Sequence, residues 1–587
     1  MLGGAARVKP TTEIGPEPVR LIVWDLDETF WGGTLSEGGI VWRPEVAEIV
    51  VRLAERGILS AICSKNDFAT VRTVLSGHGM WDRFVFPSVD WTAKGPRIAE
   101  LIAAIGLRPA SILFIDDNPL NRAEARHFTP ELQVASETVI PHLLDHPLLR
   151  GKDDRDLTRF AQYKLLERRA RDAAATGDTR AFLRASGIKV SIEHDIAGHE
   201  ARVLELVNRT NQLNFTKIRM ADGDLAASHL SDYRWQLGLI RVVDEYGDYG
   251  FVGFYAFDIL THLLTHFCFS CRILGMGVER WLYERLGRPA IRVVGEVLAD
   301  LNDPGDIDWI TLQTPGAIGA APISRDRWLG RVFLRGGCNL TAIGHYLSLA
   351  ATEVVGEYNL ARHGRLLRYD HSVFLRQAIE GTNAAEDEAL AAIGYPAHER
   401  ASRFEEMRGA ADVFVLSFWI DNWYGLYRHR RLGTVVPFMV PRMINWQDAT
   451  ALSDERLAVC LTDPESLAWG RALREDFEFI GRVGRERFQA NLRTALDRID
   501  PSRLVILVLG ARPTPVPGEK LVDLNGEQNN WTRELAREYP HVRLIDTDDF
   551  VTGPHEMQDP LHLDRKVYWR LSQEVMRLAD EHARVST

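Results

Sequence analysis

Leu21-Ile-Val-Trp-Asp25-Leu-Asp27-Glu-Thr29 sets the reading of the rest of the chain. An apolar run that ends in carboxylates reads as a buried parallel strand, whose last residues point into the crevice at the sheet's carboxyl edge. If the extended conformation persists, period-two spacing aims Asp25, Asp27 and Thr29 the same way. Two carboxylates held that close repel unless a cation sits between them or a proton is shared. Mg²⁺, a hard cation that prefers oxygen ligands, fits.

Three further segments extend the pattern. Ile58-Leu-Ser-Ala-Ile-Cys-Ser64 is a second apolar run ending in a hydroxyl, Lys94 stands at the start of a helix, and Ser111-Ile-Leu-Phe-Ile-Asp116-Asp117-Asn118 is a third strand ending in two acids. Helical stretches at 46–56 and 97–105 alternate with these strands, which predicts a doubly wound parallel α/β sheet over residues 20–150. About 28 residues separate Thr29 from Ile58, too few for a large cap domain, so the site is expected to be open.

This layout resembles the haloacid-dehalogenase superfamily. The resemblance implies Asp25 as nucleophile, Asp27 as general acid/base, and Thr29, Ser64 and Lys94 as phosphate-binding groups. It implies Asp25, Asp27, Asp116 and Asp117 as the Mg²⁺ site. A carboxylate can attack phosphorus to give an aspartyl-phosphate, with a cation neutralising the equatorial oxygens. Trp31-Gly32-Gly33, Cys63-Ser64-Lys65-Asn66 and Phe114-Ile115-Asp116-Asp117-Asn118-Pro119 look more closely like the FkbH-like family. That resemblance covers residues 20 to about 300. It implies an enzyme that takes 1,3-bisphosphoglycerate, a small phosphorylated three-carbon acid, removes its phosphates and passes glyceryl to an acyl carrier protein.

Downstream, residues 151–188 read as a connecting helix with a solvated face, and 189–316 as a second, α+β module. His266-Phe-Cys-Phe-Ser-Cys271 is a strand that runs into Arg272-Ile-Leu-Gly275-Met-Gly277 and then a helix. A strand, a glycine turn and a helix N-terminus can cradle a pyrophosphate. The R-x-x-G-x-G pattern resembles the acyl-CoA site of GNAT acetyltransferases, which implies that Arg272, Gly275 and Gly277 hold the phosphopantetheine arm of a carrier protein. Asn211, Gln212 and Asn214 either line that pocket or form a satisfied polar cluster.

Residues 317–329 read as a linker, and 330–587 as a third, α/β module resembling SGNH hydrolases, a flavodoxin-like architecture. By that resemblance Cys338, in Gly336-Gly337-Cys338, takes the nucleophile's place. His562 deprotonates it, Asp559 orients the imidazole, and Asn422 or the backbone at Gly337 serves the oxyanion. A thiolate suits thioester exchange. Cys338 and Cys271 rank equally as acyl carriers, ahead of Cys63; Cys268 falls on the strand face opposite Cys271, and Cys460 looks like core.

The 587 residues suggest three or four domains. Apolar content of 45% and charged content of 26% are those of globular proteins. A net charge of −11 argues against nucleic-acid binding. Five cysteines make no disulfide framework. Residues 1–19, rich in Gly, Pro and Thr, are expected to be disordered, and no apolar stretch suggests a signal peptide or a membrane span, which points to the cytoplasm. Two other readings stand beside glyceryl transfer. One is an acyltransferase or thioesterase that uses Cys338 and His562 on another carrier-bound acyl group. The other is a carrier-docking scaffold with a vestigial phosphatase site.

Overall fold

The computed structural model describes residues 14–230, 232–313, 328–362, 365–367, 371–418, 421, 424–438, 448–512, 525–559 and 562–586. The architecture is mixed α/β, built on three main sheets.

The first sheet is parallel throughout, in the order β3-β2-β1-β4-β5: β1 Leu21–Trp24, β2 Leu59–Ser64, β3 Ser88–Val89, β4 Ile112–Ile115 and β5 Gln133–Ala135. All four side chains of β1 are buried, as its central place between two layers of helices demands. Helix α1 (Pro44–Glu55) buries Val46, Ile49, Val50 and Leu53, an apolar stripe at helical spacing. Helices α2 (Phe68–Gly77), α3 (Lys94–Ile105) and α4 (Pro119–Phe128) follow β2, β3 and β4. Asp67 caps α2 by accepting from Thr70 N at 2.8 Å, and Asn118 caps α4 by accepting from Leu120 N at 2.9 Å. Each cap fixes where the chain leaves the sheet's carboxyl edge.

Residues 14–19, expected to be disordered, are tied down where described. Val19 N donates to Leu148 O at 2.9 Å, and Glu17 pairs with Arg108 at 2.7 Å. Residues 151–188 hold two helices rather than one, α5 (Thr158–Thr176) and α6 (Thr179–Ala185). Helix α5 is not a free solvated rod. Tyr163 enters the first module's core and Leu165 the second's.

The second sheet has the order β10-β9-β8-β7-β6-β11. Strands β6 (Ile188–Glu193), β7 (Trp235–Asp244), β8 (Gly247–Asp258) and β9 (Leu263–Phe269) are antiparallel neighbours. Strands β10 (Ala290–Ile291) and β11 (Ile310–Gln313) pair in parallel with β9 and β6. The third sheet is again parallel. Strand β13 (Glu353–Tyr358) lies beside β12 (Arg331–Gly336), followed by Val413–Leu416, Leu504–Leu509 and Val542–Asp546.

The second and third modules share one core. Residues of β6 to β9 pack with those of helix α7 (Cys338–Ser348) and of the closing helix Arg565–Ser586 in a single apolar cluster. Leu329, in the expected linker, is buried in it; residues 317–327 lie outside the described residues. Polar groups stitch the seam. The Tyr255 hydroxyl and His345 Nε2 lie 3.1 Å apart, and the wholly buried Arg565 donates to His194 O.

This seam is expected to be acid-sensitive. Burial pushes the imidazoles of His194 and His345 down to about 3, so the folded chain keeps them neutral. The unfolded chain takes up those protons below about pH 6.5. The stability these groups support is complete above that pH and is lost as pH falls through the window toward about 3. Near pH 5 each should already cost about 2 kcal/mol. Calorimetry at neutral and mildly acid pH checks this. His345→Gln should flatten the acid limb, and an unchanged slope would refute the assignment.

Candidate active site

Asp25 follows β1 directly, Asp116 follows β4, and Lys94 opens α3, so three chain turns meet at the carboxyl edge of the first sheet. All three side chains are buried. The Lys94 ammonium bridges Asp25 Oδ1 at 2.5 Å and Asp116 Oδ2 at 2.7 Å. Burial, opposed by Lys94, pushes the Asp25 carboxyl up to about 6, with Asp116 adding to the rise; the two carboxylates hold the Lys94 ammonium above its usual range.

Asp25, Asp116 and the partly exposed Asp117 present carboxylate oxygens within 4.8 Å of one another. Oxygen ligands of an octahedral Mg²⁺ stand about 3 to 4 Å apart, so small side-chain adjustments suffice. Three carboxylates against one ammonium leave negative charge for a divalent cation. The donor set therefore fits Mg²⁺. Asp116 is braced for such a role: it accepts from Asn118 N at 2.8 Å and from Asn121 Nδ2 at 3.1 Å, and Arg122 donates to the carbonyls of Asp116 and Asp117.

The extended conformation does not persist past Asp25. Residues 27–30 form a turn, and Glu28 takes a left-handed φ of 53°. Two expected roles change as a result. Asp27, expected among the ligands, lies outside the three-carboxylate group: its Oδ1 accepts from Trp31 Nε1 at 2.9 Å and Leu35 N at 3.1 Å, and its Oδ2 from Asn66 Nδ2 at 2.9 Å. Thr29, expected to touch phosphate, is wholly buried, and its Oγ accepts from Asp117 N at 3.0 Å. It props the ligand loop instead. Ser64 ends β2 at the same edge, and its Oγ accepts from Asn66 Nδ2 at 3.2 Å. Asn66, to which the sequence attached no role, thus couples Ser64 to Asp27. Its place two residues beyond the strand, in the Cys63-Ser64-Lys65-Asn66 motif, is the signal it offered. No cap domain intervenes after Asp27; the chain forms a short bridge, Gly32 to Val41, and enters α1.

The second module has the expected strand, glycine turn and helix: β9 leads through Gly275 and Gly277 into a helix at Val278–Arg285. Gly275 and Gly277 take left-handed φ values of 75° and 77°, which glycine alone adopts freely. Arg272 turns elsewhere: its Nη1 donates to Tyr249 O at 2.6 Å and its Nε to Ser270 Oγ at 3.1 Å. Residues 213–215 run alongside β9. Phe215 N donates to Phe267 O at 3.0 Å, and Phe269 N to Leu213 O at 2.9 Å. Asn214 is a satisfied structural residue that donates to Val207 O at 3.2 Å. Gln212 Oε1 accepts from Cys271 Sγ at 3.0 Å.

In the third module Cys338 opens helix α7, directly after the glycine turn that follows β12. Its Sγ lies 3.0 Å from His562 Nε2, across 224 residues of chain. The Tyr233 ring, from the second module, stacks on that imidazole at 4.2 Å and 7°. The backbones of Asp559 and His562 pair in a short ribbon, but the Asp559 side chain and Asn422 lie outside the described residues. Three of the other thiols are held protonated. Burial pushes Cys63 up to about 11, Cys268 up to about 12, and Cys271 above its usual range.

No protein-family model and no curated protein matches the chain. Several solved structures resemble part of it, among them these three. One is the N-terminal part of a Bacteroides fragilis protein containing a phosphatase domain, complexed with Mg (23% identity, TM-score 0.19); the match covers 26% of this chain and 42% of that one, less than half its length. Another is a putative HAD-like phosphatase from Mesorhizobium loti (15%, TM-score 0.18; 26% and 94% covered). The third is 3-deoxy-D-manno-octulosonate 8-phosphate phosphatase from Moraxella catarrhalis, with magnesium, phosphate and its sugar (15%, TM-score 0.17; 27% and 94% covered). At these TM-scores the functional reading rests on the geometry of the site itself.

Proposed function

We propose that the first module is a Mg²⁺-dependent phosphatase of the haloacid-dehalogenase type. The observation that carries this reading is the buried Asp25–Lys94–Asp116 group with Asp117 beside it at the tip of β1. Asp25, Asp116 and Asp117 would hold the metal, which supplies charge neutralisation for the transferring phosphoryl group. Asp25 attacks phosphorus, and the bond from phosphorus to the leaving oxygen breaks. Asp27 delivers a proton to that oxygen, then takes one from the water that hydrolyses the aspartyl-phosphate. Its three hydrogen-bond donors fix its direction for both transfers. Lys94 stabilises developing charge, and Ser64 is placed to meet a phosphoryl oxygen.

The finer reading is that the substrate is a phosphorylated three-carbon acid, 1,3-bisphosphoglycerate, and that its glyceryl unit is loaded onto the phosphopantetheine thiol of an acyl carrier protein. The contact of Cys338 with His562 favours the third module as the acyl-handling site. There the thiol sulfur attacks the acyl carbon, His562 takes the thiol proton, and phosphate departs with the cleaved bond's electrons; the carrier thiol then gives up its proton and attacks the Cys338 thioester, and the Cys338 sulfur leaves and regains a proton from His562. The test is phosphate release from a panel of phosphate esters and acyl phosphates, with Mg²⁺ and with chelator. Release is expected to fall at least about 100-fold on chelation. Intact mass of a holo-carrier incubated with bisphosphoglycerate should show a glyceryl adduct. Metal-independent release would sink the phosphatase reading, and a carrier unmodified by any glycerate donor the finer one.

A further inference from the structure

Between the first and second modules lies a cleft of about 870 Å³, at the end of the first sheet opposite the carboxylate site. Its walls include Arg20, which precedes β1, and Gly106–Leu107, which leads toward β4; the facing wall comes from the second module and includes Arg202, Arg209, Cys271 and Arg272. Five residue steps separate Arg20 from Asp25, about 16 Å of extended chain, so the cleft and the carboxylate site are different places.

Eight Arg and Lys side chains line the cleft against three carboxylates. Those carboxylates are engaged: Glu205 takes Arg202 and Arg209, Asp153 pairs with Arg155, and Asp154 caps α5 through Thr158 and Arg159 N. Arg20 is half-buried, and among the described residues no carboxylate answers its guanidinium. Burial, with Arg159, Arg209 and Arg108 nearby, holds it below the usual arginine range. Burial and Arg202 bring Arg272 down to about 10. Cations crowded this way into a roomy, partly desolvated cleft outnumber the carboxylates that line it, and guanidinium groups match phosphoryl oxygens in geometry.

We propose that this cleft is a second, non-hydrolytic binding site for a phosphorylated small molecule, its phosphoryl group held by Arg20, Arg159 and Arg272, beside the Cys271 thiol. The site stands whether or not the carboxylate site hydrolyses phosphate. Two sources share this chemistry, a phosphorylated acid and the phosphopantetheine arm of a carrier.

The test uses the full-length chain carrying Asp25→Asn, so that the carboxylate site turns nothing over. Inorganic pyrophosphate without metal is the calorimetric probe. Binding is expected, and Arg20→Gln or Arg159→Gln should each weaken it about tenfold, with melting temperature unchanged. Arg159, half-buried on α5, serves where Arg20→Gln fails to fold. Competition by 3-phosphoglycerate or by 4′-phosphopantetheine assigns the source, with unphosphorylated pantetheine expected to compete poorly. No pyrophosphate binding, binding indifferent to both substitutions, or displacement by neither phosphorylated competitor would overturn the proposal.

Discussion

Asp25→Asn is expected to reduce phosphate release by about 10³-fold or more, because it removes the atom that bonds to phosphorus while leaving the site assembled. The substitution is nearly isosteric, and Lys94 keeps its second partner, Asp116, at 2.7 Å. Lys94→Met is a poorer probe. It strands two buried acids, and breaking such a pair costs about 3 to 5 kcal/mol of stability. Asp27→Asn separates the two aspartates further. Asp27 contacts Trp31, Leu35 and Asn66 rather than Lys94, so its loss should slow turnover by about 10² to 10⁴ through the proton transfers alone. The chain should then retain a trapped phosphoryl group on Asp25, visible in its intact mass. Release within tenfold of the parent in Asp25→Asn would place the nucleophile elsewhere.

The parts of this site legible in the sequence are those where a burial signal meets a charge. Asp25 and Asp116 each end an apolar run of at least four residues, and both lie at the same sheet edge because β1 pairs in parallel with β4. Lys94 was legible as a helix start. The aim of Asp27 and Thr29 was not, because a left-handed non-glycine residue, Glu28, breaks the period-two geometry and carries no mark in its side chain. Thr29 consequently swings under Asp117 instead of toward the substrate. The seam between the second and third modules was hidden for another reason. Residues 252–258 of β8 are buried on both faces, which announces a covering layer without naming it. The layer is supplied by helix α7 and the closing helix, beginning some 80 and 300 residues later. Spacing within a strand says nothing about a partner so distant.

The same seam bears on the second large effect. Cys338→Ala is expected to abolish acyl-enzyme formation from an acyl phosphate donor, and His562→Ala to slow it by about 100-fold or more. Of the five cysteines, Cys338 is the one whose sulfur meets an imidazole among the described residues. Cys271→Ala should leave the adduct intact, because that thiol spends its proton on the Gln212 amide and burial keeps it protonated. Tyr233 stacks flat against the His562 imidazole from the second module. Tyr233→Ala should therefore slow acylation while leaving phosphate release by the first module untouched. That split distinguishes a positioning contact from a general loss of fold, which would depress both. An adduct that survives Cys338→Ala and disappears in Cys271→Ala would move the acyl site to the cleft between the first two modules and leave the Cys338–His562 contact as a structural one.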